Sequence, residues 1–208
     1  GVGSFGGAYL VVDDVGRRRT LKVMKMTEKN KRSLVLEIMT YARLDHSCAE
    51  QDDGRKHACL RNFGCNGVDA FLVLDFIPGE TARKYFSKKR NHTFKFASDF
   101  LLMLANAAAS VASLHAQGVH HLDLRLDNFV MNGPLNPIVI DMGLSCIGDK
   151  AAKDPEGYGK WCALRAQRPD KNLDPRFFPD GLSAKDTETA DIYGLSRVFL
   201  DLLRRQRD

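Results

Sequence analysis

Gly1, Gly3 and Gly6 open the chain as G-x-G-x-x-G. The chemistry of that spacing is phosphate binding, because glycines let backbone N–H groups approach phosphate oxygens closely. A dinucleotide site would need a strand before the glycines and a helix directly after them, whereas the residues after Gly6 read as strand. A Walker loop would need G-K-[ST], which does not follow. A strand-forming hairpin with Gly3, Ser4, Phe5 and Gly6 at its tip fits the context, although an ordinary glycine-rich turn has the same spacing. A second group, His46, Cys48, His57, Cys59 and Cys65, raises the question of zinc. It contains no CxxC pair and its spacings fit no common finger. Five cysteines at irregular spacing in a chain of this size lead to the expectation of reduced thiols.

The apolar pattern predicts the elements that must position these groups. Ala8 to Val12 and Thr20 to Met24 are short runs of strand formers separated by Asp13, Asp14 and Gly16, which predicts a hairpin. Leu34, Leu36, Ile38, Tyr41 and Leu44 fall near a helical period and predict a helix after the second strand. Residues 47–58 are polar and predict a loop or insertion. Two apolar runs follow, around Cys59 to Phe63 and Phe71 to Ile77, until Pro78 and Gly79 break the pattern. From Ser98, a suitable N-cap, an Ala- and Leu-rich run to Gly118 predicts a long buried helix. Residues 120–145 predict a loop with two short strands. The polar stretch from Cys146 to about Lys185 has no periodicity, and segments of that kind inside a compact domain are usually functional. The last predicted helix carries Ile192, Leu195, Val198, Phe199, Leu202 and Leu203 on its apolar side.

With 208 residues, 44% of them hydrophobic and 27% charged, the chain can bury a substantial core in one domain or two small lobes. No run approaches the roughly 20 large apolar residues expected of a membrane span, and GVGSFGGAYL lacks the regions of a signal peptide. The expectation is an intracellular chain, in cytoplasm or nucleus, without a membrane partner. The formal charge of +5 comes from short basic runs at residues 17–19, 31–32 and 88–90. Without interleaved aromatics they read as a solvated face rather than a nucleic-acid site.

Lys22 lies sixteen residues after Gly6 in the second strand, in LKVMK, and Glu37 lies in the following helix, in EIMTYARLDH. HLDLRLDN spans His121 to Asn128, and IDMG spans Ile140 to Gly143. In type, spacing and order these motifs resemble the strand lysine, helix glutamate, H-R-D-L-x-x-x-N and D-F-G motifs of eukaryotic-type protein kinases. The resemblance covers essentially the whole chain. It implies an α+β, two-lobed fold forming one kinase domain over residues 1–208, with a β-rich N-lobe at 1–77 and a mainly helical, incomplete C-lobe at 78–208.

The resemblance also implies chemistry: transfer of the γ-phosphoryl group of ATP, with Mg²⁺, to hydroxyls of protein substrates. Ser/Thr acceptors are favoured, because D-L-R-L-D-N differs from the A-A-R or R-A-A of tyrosine kinases. Asp123 would orient the acceptor hydroxyl and take its proton, Lys22 held by Glu37 would bind the α and β phosphates, and Arg125 would neutralise the γ-phosphate. Asp141 and Asn128 would bind the two Mg²⁺ ions. Lys25 competes with Lys22, and the motif favours Lys22. Gly1, Gly3, Ser4, Phe5 and Gly6 would cover the phosphates, and Ala8 and Val130 would sandwich the adenine. FLVLDFIPGE would supply Leu74 as gatekeeper and the Asp75 to Ile77 backbone at the adenine edge, although alone it is a buried strand and a turn. Asp191 would be the buried acid anchoring the catalytic loop.

Several positions depart from the family pattern. Leu122 replaces the arginine of H-R-D, which implies that activation-loop phosphorylation is not the control. Met142 replaces the phenylalanine of D-F-G, a flexible side chain expected to loosen packing between Tyr41 and His121. The A-P-E region survives only as LDPRFF, with Arg176 where glutamate is expected. An apolar residue before the catalytic aspartate also resembles divergent kinases of large DNA viruses, herpesvirus-type ones among them. A pseudokinase scaffold and a small-molecule phosphotransferase are the rival readings.

Overall fold

A computed structural model describes residues 2–3, 6–44, 48, 56–88, 94, 97–147 and 187–205. The predicted hairpin is strands β2 (Gly6–Val12) and β3 (Arg18–Lys25). Its turn is held by the Asp13 carboxylate, which accepts the N–H groups of Val15 and Arg17, while Gly16 takes a φ of 81° that glycine adopts without strain. With β1 (Val2–Gly3), β4 (Leu60–Cys65) and β5 (Asp69–Asp75), they form an antiparallel sheet in the order β1-β2-β3-β5-β4. The register sets Lys22 opposite Leu72 and Arg19 opposite Asp75. Alternation buries Ala70, Leu72 and Leu74 on one face of β5.

Helix α1 (Glu28–Leu44) follows β3 as predicted, and buries Leu34, Leu36, Tyr41 and Leu44 together with Ser33, Glu37 and Thr40. The remaining elements are β6 (Glu80–Thr81), α2 (Ala82–Phe86), α3 (Ala97–His115), β7 (Val119–His120), a 3-10 turn at Leu126–Asn128, β8 (Phe129–Met131), β9 (Pro137–Val139), β10 (Cys146–Ile147) and α4 (Thr187–Arg205). Strands β6, β8 and β9 pair in that order, and β10 pairs with β7. The architecture is thus α+β, a β-rich sheet region and helices. Elements β6 and α2 are too short for any period to reveal. They depend on Thr81, whose hydroxyl caps α2 by accepting the Lys84 N–H, and on Gly79, where a Cβ would sit 2.1 Å from the Met131 carbonyl.

Three sequence expectations change. Helix α3 is long and apolar enough to cross a membrane by length and composition, because its small residues hide the run from a count of large apolar ones. Met103, Ala107, Val111 and Leu114 are buried, and the helix packs on β9 and α4. On α4, Leu195, Val198 and Leu202 are buried but Ile192 and Leu203 are exposed, so the apolar side is wider than the surface it covers. The cysteines are not all reduced: Cys48 and Cys59 form a disulfide with Cα atoms 5.9 Å apart, and Cys146 is also disulfide-bonded. The chain between α1 and β4 returns Cys48 to the start of β4, which residue spacing cannot reveal. Cys65 is free and exposed.

Candidate active site

Glu37 shares one face of α1 with Ser33, Thr40 and Tyr41, at the i−4, i+3 and i+4 positions that helical geometry brings together. From that face it meets Lys22 on β3: the ammonium donates to Glu37 Oε1 at 2.7 Å and Oε2 at 2.8 Å, and to Asp141 Oδ1 at 2.8 Å. Burial works against the Lys22 charge, but attraction from Glu37 and Asp141 outweighs it and raises the Lys22 pKa. Burial raises the Glu37 pKa above its usual value, Lys22 opposes the shift, and Asp141 adds to it. For Asp141, burial is outweighed by Lys22, with smaller help from His121 and the Gly143 N–H, so its pKa falls. Burial, then the Glu37 and Asp141 carboxylates, push the Tyr41 phenol well above its usual value. Lys25, the competitor, is exposed and pairs with Asp69 at 3.1 Å.

The second half of the site hangs on Asp191. Fully buried on α4, its carboxylate accepts the N–H of His121 at 2.6 Å and of Leu122 at 2.7 Å, and lies 2.9 Å from His115 Nε2. The His121 Nδ1 accepts the Asp123 N–H at 3.2 Å, so Nε2 carries the proton that it donates to the Ile140 carbonyl at 2.9 Å. One imidazole therefore joins the Asp123 loop to the Asp141 loop. Leu122 and Asp141 both hold left-handed backbones, with φ of 59° and 65°. Such residues cost about 1–3 kcal/mol each and persist where their surroundings over-determine them; here Asp191 and Lys22 belong to those surroundings.

Asn128 donates from Nδ2 to the Asp123 carbonyl and to Asp123 Oδ2, both at 2.8 Å, which leaves its amide oxygen as the atom that can accept or ligate a metal. Arg125 Nε lies 3.5 Å from Asp123 Oδ2 with its side chain about half exposed. A cavity of about 480 Å³ is lined by Lys22, Glu37, Arg125, Asn128 and Asp141, and by Gly6, Ala8, Leu74, Asp75, Ile77 and Val130, while Asp123 is outside its lining and bonded to Asn128. Gly3 pairs with Gly6 across β1 and β2, while Gly1, Ser4 and Phe5 lie outside the described residues. Gly6 has no room for a side chain, since a Cβ would sit 1.9 Å from the Val23 carbonyl.

At the expected adenine edge, Asp75 and Ile77 both line the cavity. The Asp75 N–H is spent on the Cys59 carbonyl at 2.9 Å, and its carboxylate is held by Arg19 and by two 2.8 Å bonds from Arg61. Sequence reasoning missed this because it depends on the β3–β5 register. It also missed Ala58, Thr81 and Asp127 in the lining. Asp127 is bonded twice by Arg83 Nε at 2.8 Å. Ala58 sits in a polar stretch that carries no signal for it.

The donor set fits a hard cation with a phosphate-bearing ligand. Asp141 and Asn128 offer the oxygen atoms that Mg²⁺ selects, Lys22 offers a charge for phosphate, and Ala8, Leu74 and Val130 offer apolar contacts. The Cys48, His57 and Cys59 group does not make the same case: its ligand atoms lie within 4.8 Å of one another, but the sulfurs are bonded to each other and neither is a thiolate.

No protein-family model matches the chain. Among curated proteins, it is 23% identical over its whole length to the rust resistance kinase Lr10 of Triticum aestivum. It is 26% identical over its whole length to the putative serine/threonine-protein kinase-like protein CCR3 of Arabidopsis thaliana. Over 44% of the chain it is 28% identical to the serine/threonine/tyrosine-protein kinase HT1 of Arabidopsis thaliana. These similarities support a protein-kinase-like superfamily. The chain spans 31%, 26% and 24% of the lengths of these three relatives. The kinase-like relatives agree in direction with the Lys22–Glu37–Asp141 and Asp123–Asn128 geometry.

Proposed function

We propose that this chain is the catalytic domain of a two-lobed protein kinase that transfers the γ-phosphoryl group of ATP to Ser or Thr hydroxyls of protein substrates. The observation that carries the proposal is one cavity lined by the Lys22–Glu37–Asp141 triad and by Asn128, with Asp123 held against its wall by Asn128 Nδ2 at 2.8 Å. Bound Mg–ATP would supply the phosphoryl group and the ions that neutralise its oxygens. Lys22, kept charged by its two carboxylate partners, holds the α and β phosphates. Asp141 and Asn128 present oxygen to the metal. Asp123 orients the acceptor hydroxyl and takes its proton, and Arg125 beside it neutralises charge on the γ-phosphate side. Gly6 covers the phosphates, and Ala8, Leu74 and Val130 enclose the base with the backbone around Ile77.

Asp123→Asn tests the reading, because it keeps shape and removes the acceptor of the proton. General-base assistance is typically worth 10²–10⁴-fold, so phosphotransfer to mixed acceptor proteins should fall by about that factor. Mg–ATP affinity should stay within a few-fold. Wild-type protein that binds Mg–ATP but transfers phosphate no faster than Asp123→Asn would make the chain a nucleotide-binding scaffold.

A further inference from the structure

We propose that Ser33, Thr40 and Ser145 are positioning residues, three hydroxyls that lock α1 to the loop carrying Asp141 and so fix the oxygen offered to Mg²⁺. The inference rests on the functional reading above and adds to it three residues to which that reading gives no role. Ser33 Oγ donates to the Gly143 carbonyl at 2.8 Å. Ser145 Oγ lies 2.6 Å from the Met142 carbonyl and 2.9 Å from Thr40 Oγ1. A hydroxyl has one proton, and a carbonyl can only accept. Ser145 therefore donates to Met142, and Thr40 supplies the proton shared with Ser145. Every hydroxyl in this set is buried, at 7%, 0% and 1% exposure for Ser33, Thr40 and Ser145. None can exchange its partner for water without moving an element.

The placement of these contacts points to a purpose beyond stability. Ser33 and Thr40 flank Glu37 on one face of α1, four residues before it and three after. Their partners, Gly143 and Ser145, are two and four residues beyond Asp141. The clamp thus ties both ends of the glutamate's turn to the segment leaving the metal ligand. Met142, buried between those anchor points, is flexible and adapts to whatever surrounds it. An apolar contact through it does not fix a backbone, whereas hydrogen bonds on either side do. Asp141 needs such fixing, since its backbone is left-handed at a φ of 65°. Gly143 keeps the arrangement tight: a Cβ there would lie 3.3 Å from Asp141 Oδ1 and 3.4 Å from Glu37 Oε2.

The test measures the Mg²⁺ concentration that half-saturates nucleotide binding by the full chain, next to ADP affinity without metal. Thr40→Val keeps shape and removes the hydroxyl, Thr40→Ser keeps the hydroxyl, and Ser33→Ala probes the other contact independently should Thr40→Val not fold. A buried hydrogen bond is worth about tenfold in an equilibrium constant. Thr40→Val and Ser33→Ala should each raise the required Mg²⁺ by about that factor, with metal-free ADP affinity unchanged and Thr40→Ser close to wild type. Folded variants needing the same Mg²⁺ as wild type would overturn the clamp. So would an equal loss of metal-free ADP affinity, or Thr40→Ser behaving like Thr40→Val. Wild-type protein without any Mg²⁺-dependent nucleotide binding would instead overturn the functional reading, and with it the purpose assigned to the clamp.

Discussion

Strand β3 feeds two ion clusters, each built around one buried carboxylate, Asp75 or Glu37, that look alike and differ in what they can do. Arg19 and Lys22 are three residues apart and so leave the strand on opposite faces. On one side, Arg19 joins Asp13 and Asp75, and Arg61 completes a bidentate hold on Asp75. Two guanidinium groups meet two carboxylates, and the charges cancel. On the other side, the single ammonium of Lys22 meets Glu37 and Asp141. One cation faces two carboxylates, so the cluster is short of one positive charge. Asp141, with 40% of its side chain exposed, opens that deficit toward the cavity. A neutral, closed cluster has no use for an outside ion and acts as a staple. A cluster with surplus negative charge and an open edge is made to receive a cation.

Breaking the staple should give the largest effect. Asp75 is 3% exposed, and Asp75→Asn leaves Arg19 and Arg61 without their shared anion while hardly changing shape. Removing one partner of a buried pair costs about 3–5 kcal/mol, and urea unfolding of the variant should read a loss of that order. A loss under about 1 kcal/mol would rank the Arg19–Asp75–Arg61 cluster with surface pairs and remove the contrast between staple and site.

The open cluster should respond to ligand instead. At about a hundred times its dissociation constant, Mg–ATP should stabilise wild-type protein by ~2.7 kcal/mol through mass action, read as a raised melting temperature. Lys22→Met should remove most of that gain, and Lys25→Met should keep it, because Lys25 is an exposed partner of Asp69. If Lys25→Met removes the gain and Lys22→Met does not, the open cluster is not the nucleotide site.

Which features could be read from sequence follows from the same contrast. Lys22, Glu37, Asp123, Asn128 and Asp141 were legible because phosphoryl-transfer chemistry restricts residue type and order. The β2–β3 hairpin was legible from two runs of strand formers around turn residues, α1 from its helical period, and α3 from its Ala- and Leu-rich composition. The Asp75 staple was not, since it exists only once register puts Arg19 opposite Asp75. Nor were Ser33, Thr40 and Ser145, because a serine or threonine on a helix or in a turn is too common to single out. The Cys48–Cys59 bond was missed for a related reason: spacing does not determine connectivity. Gly1, Ser4, Phe5 and most of the polar stretch after Cys146 lie outside the described residues, and the expectations placed on them stand as they were.

The smallest expected effect concerns acid, and separates the two carboxylates of the open cluster. Asp141 has its folded pKa below the ordinary 3.8. Its contribution to stability is therefore fully present above 3.8 and lost as the pH falls through the lower folded value. Glu37 has its folded pKa above the ordinary 4.5, burial being the main cause. The native state takes up that proton before the unfolded chain does, so acidification from neutral toward 4.5 adds to stability through Glu37. Urea midpoints of wild type, Glu37→Gln and Asp141→Asn, compared between neutral pH and values below 3.8, read both contributions, together with the part of the Glu37 shift that Asp141 itself causes. The wild-type advantage over Asp141→Asn should shrink only below 3.8, while the difference from Glu37→Gln should move in favour of wild type as the pH falls toward 4.5. A constant difference from both variants across that range would mean that neither carboxylate is shifted, and that the triad is no more strained by its surplus charge than the staple on the other face of the sheet.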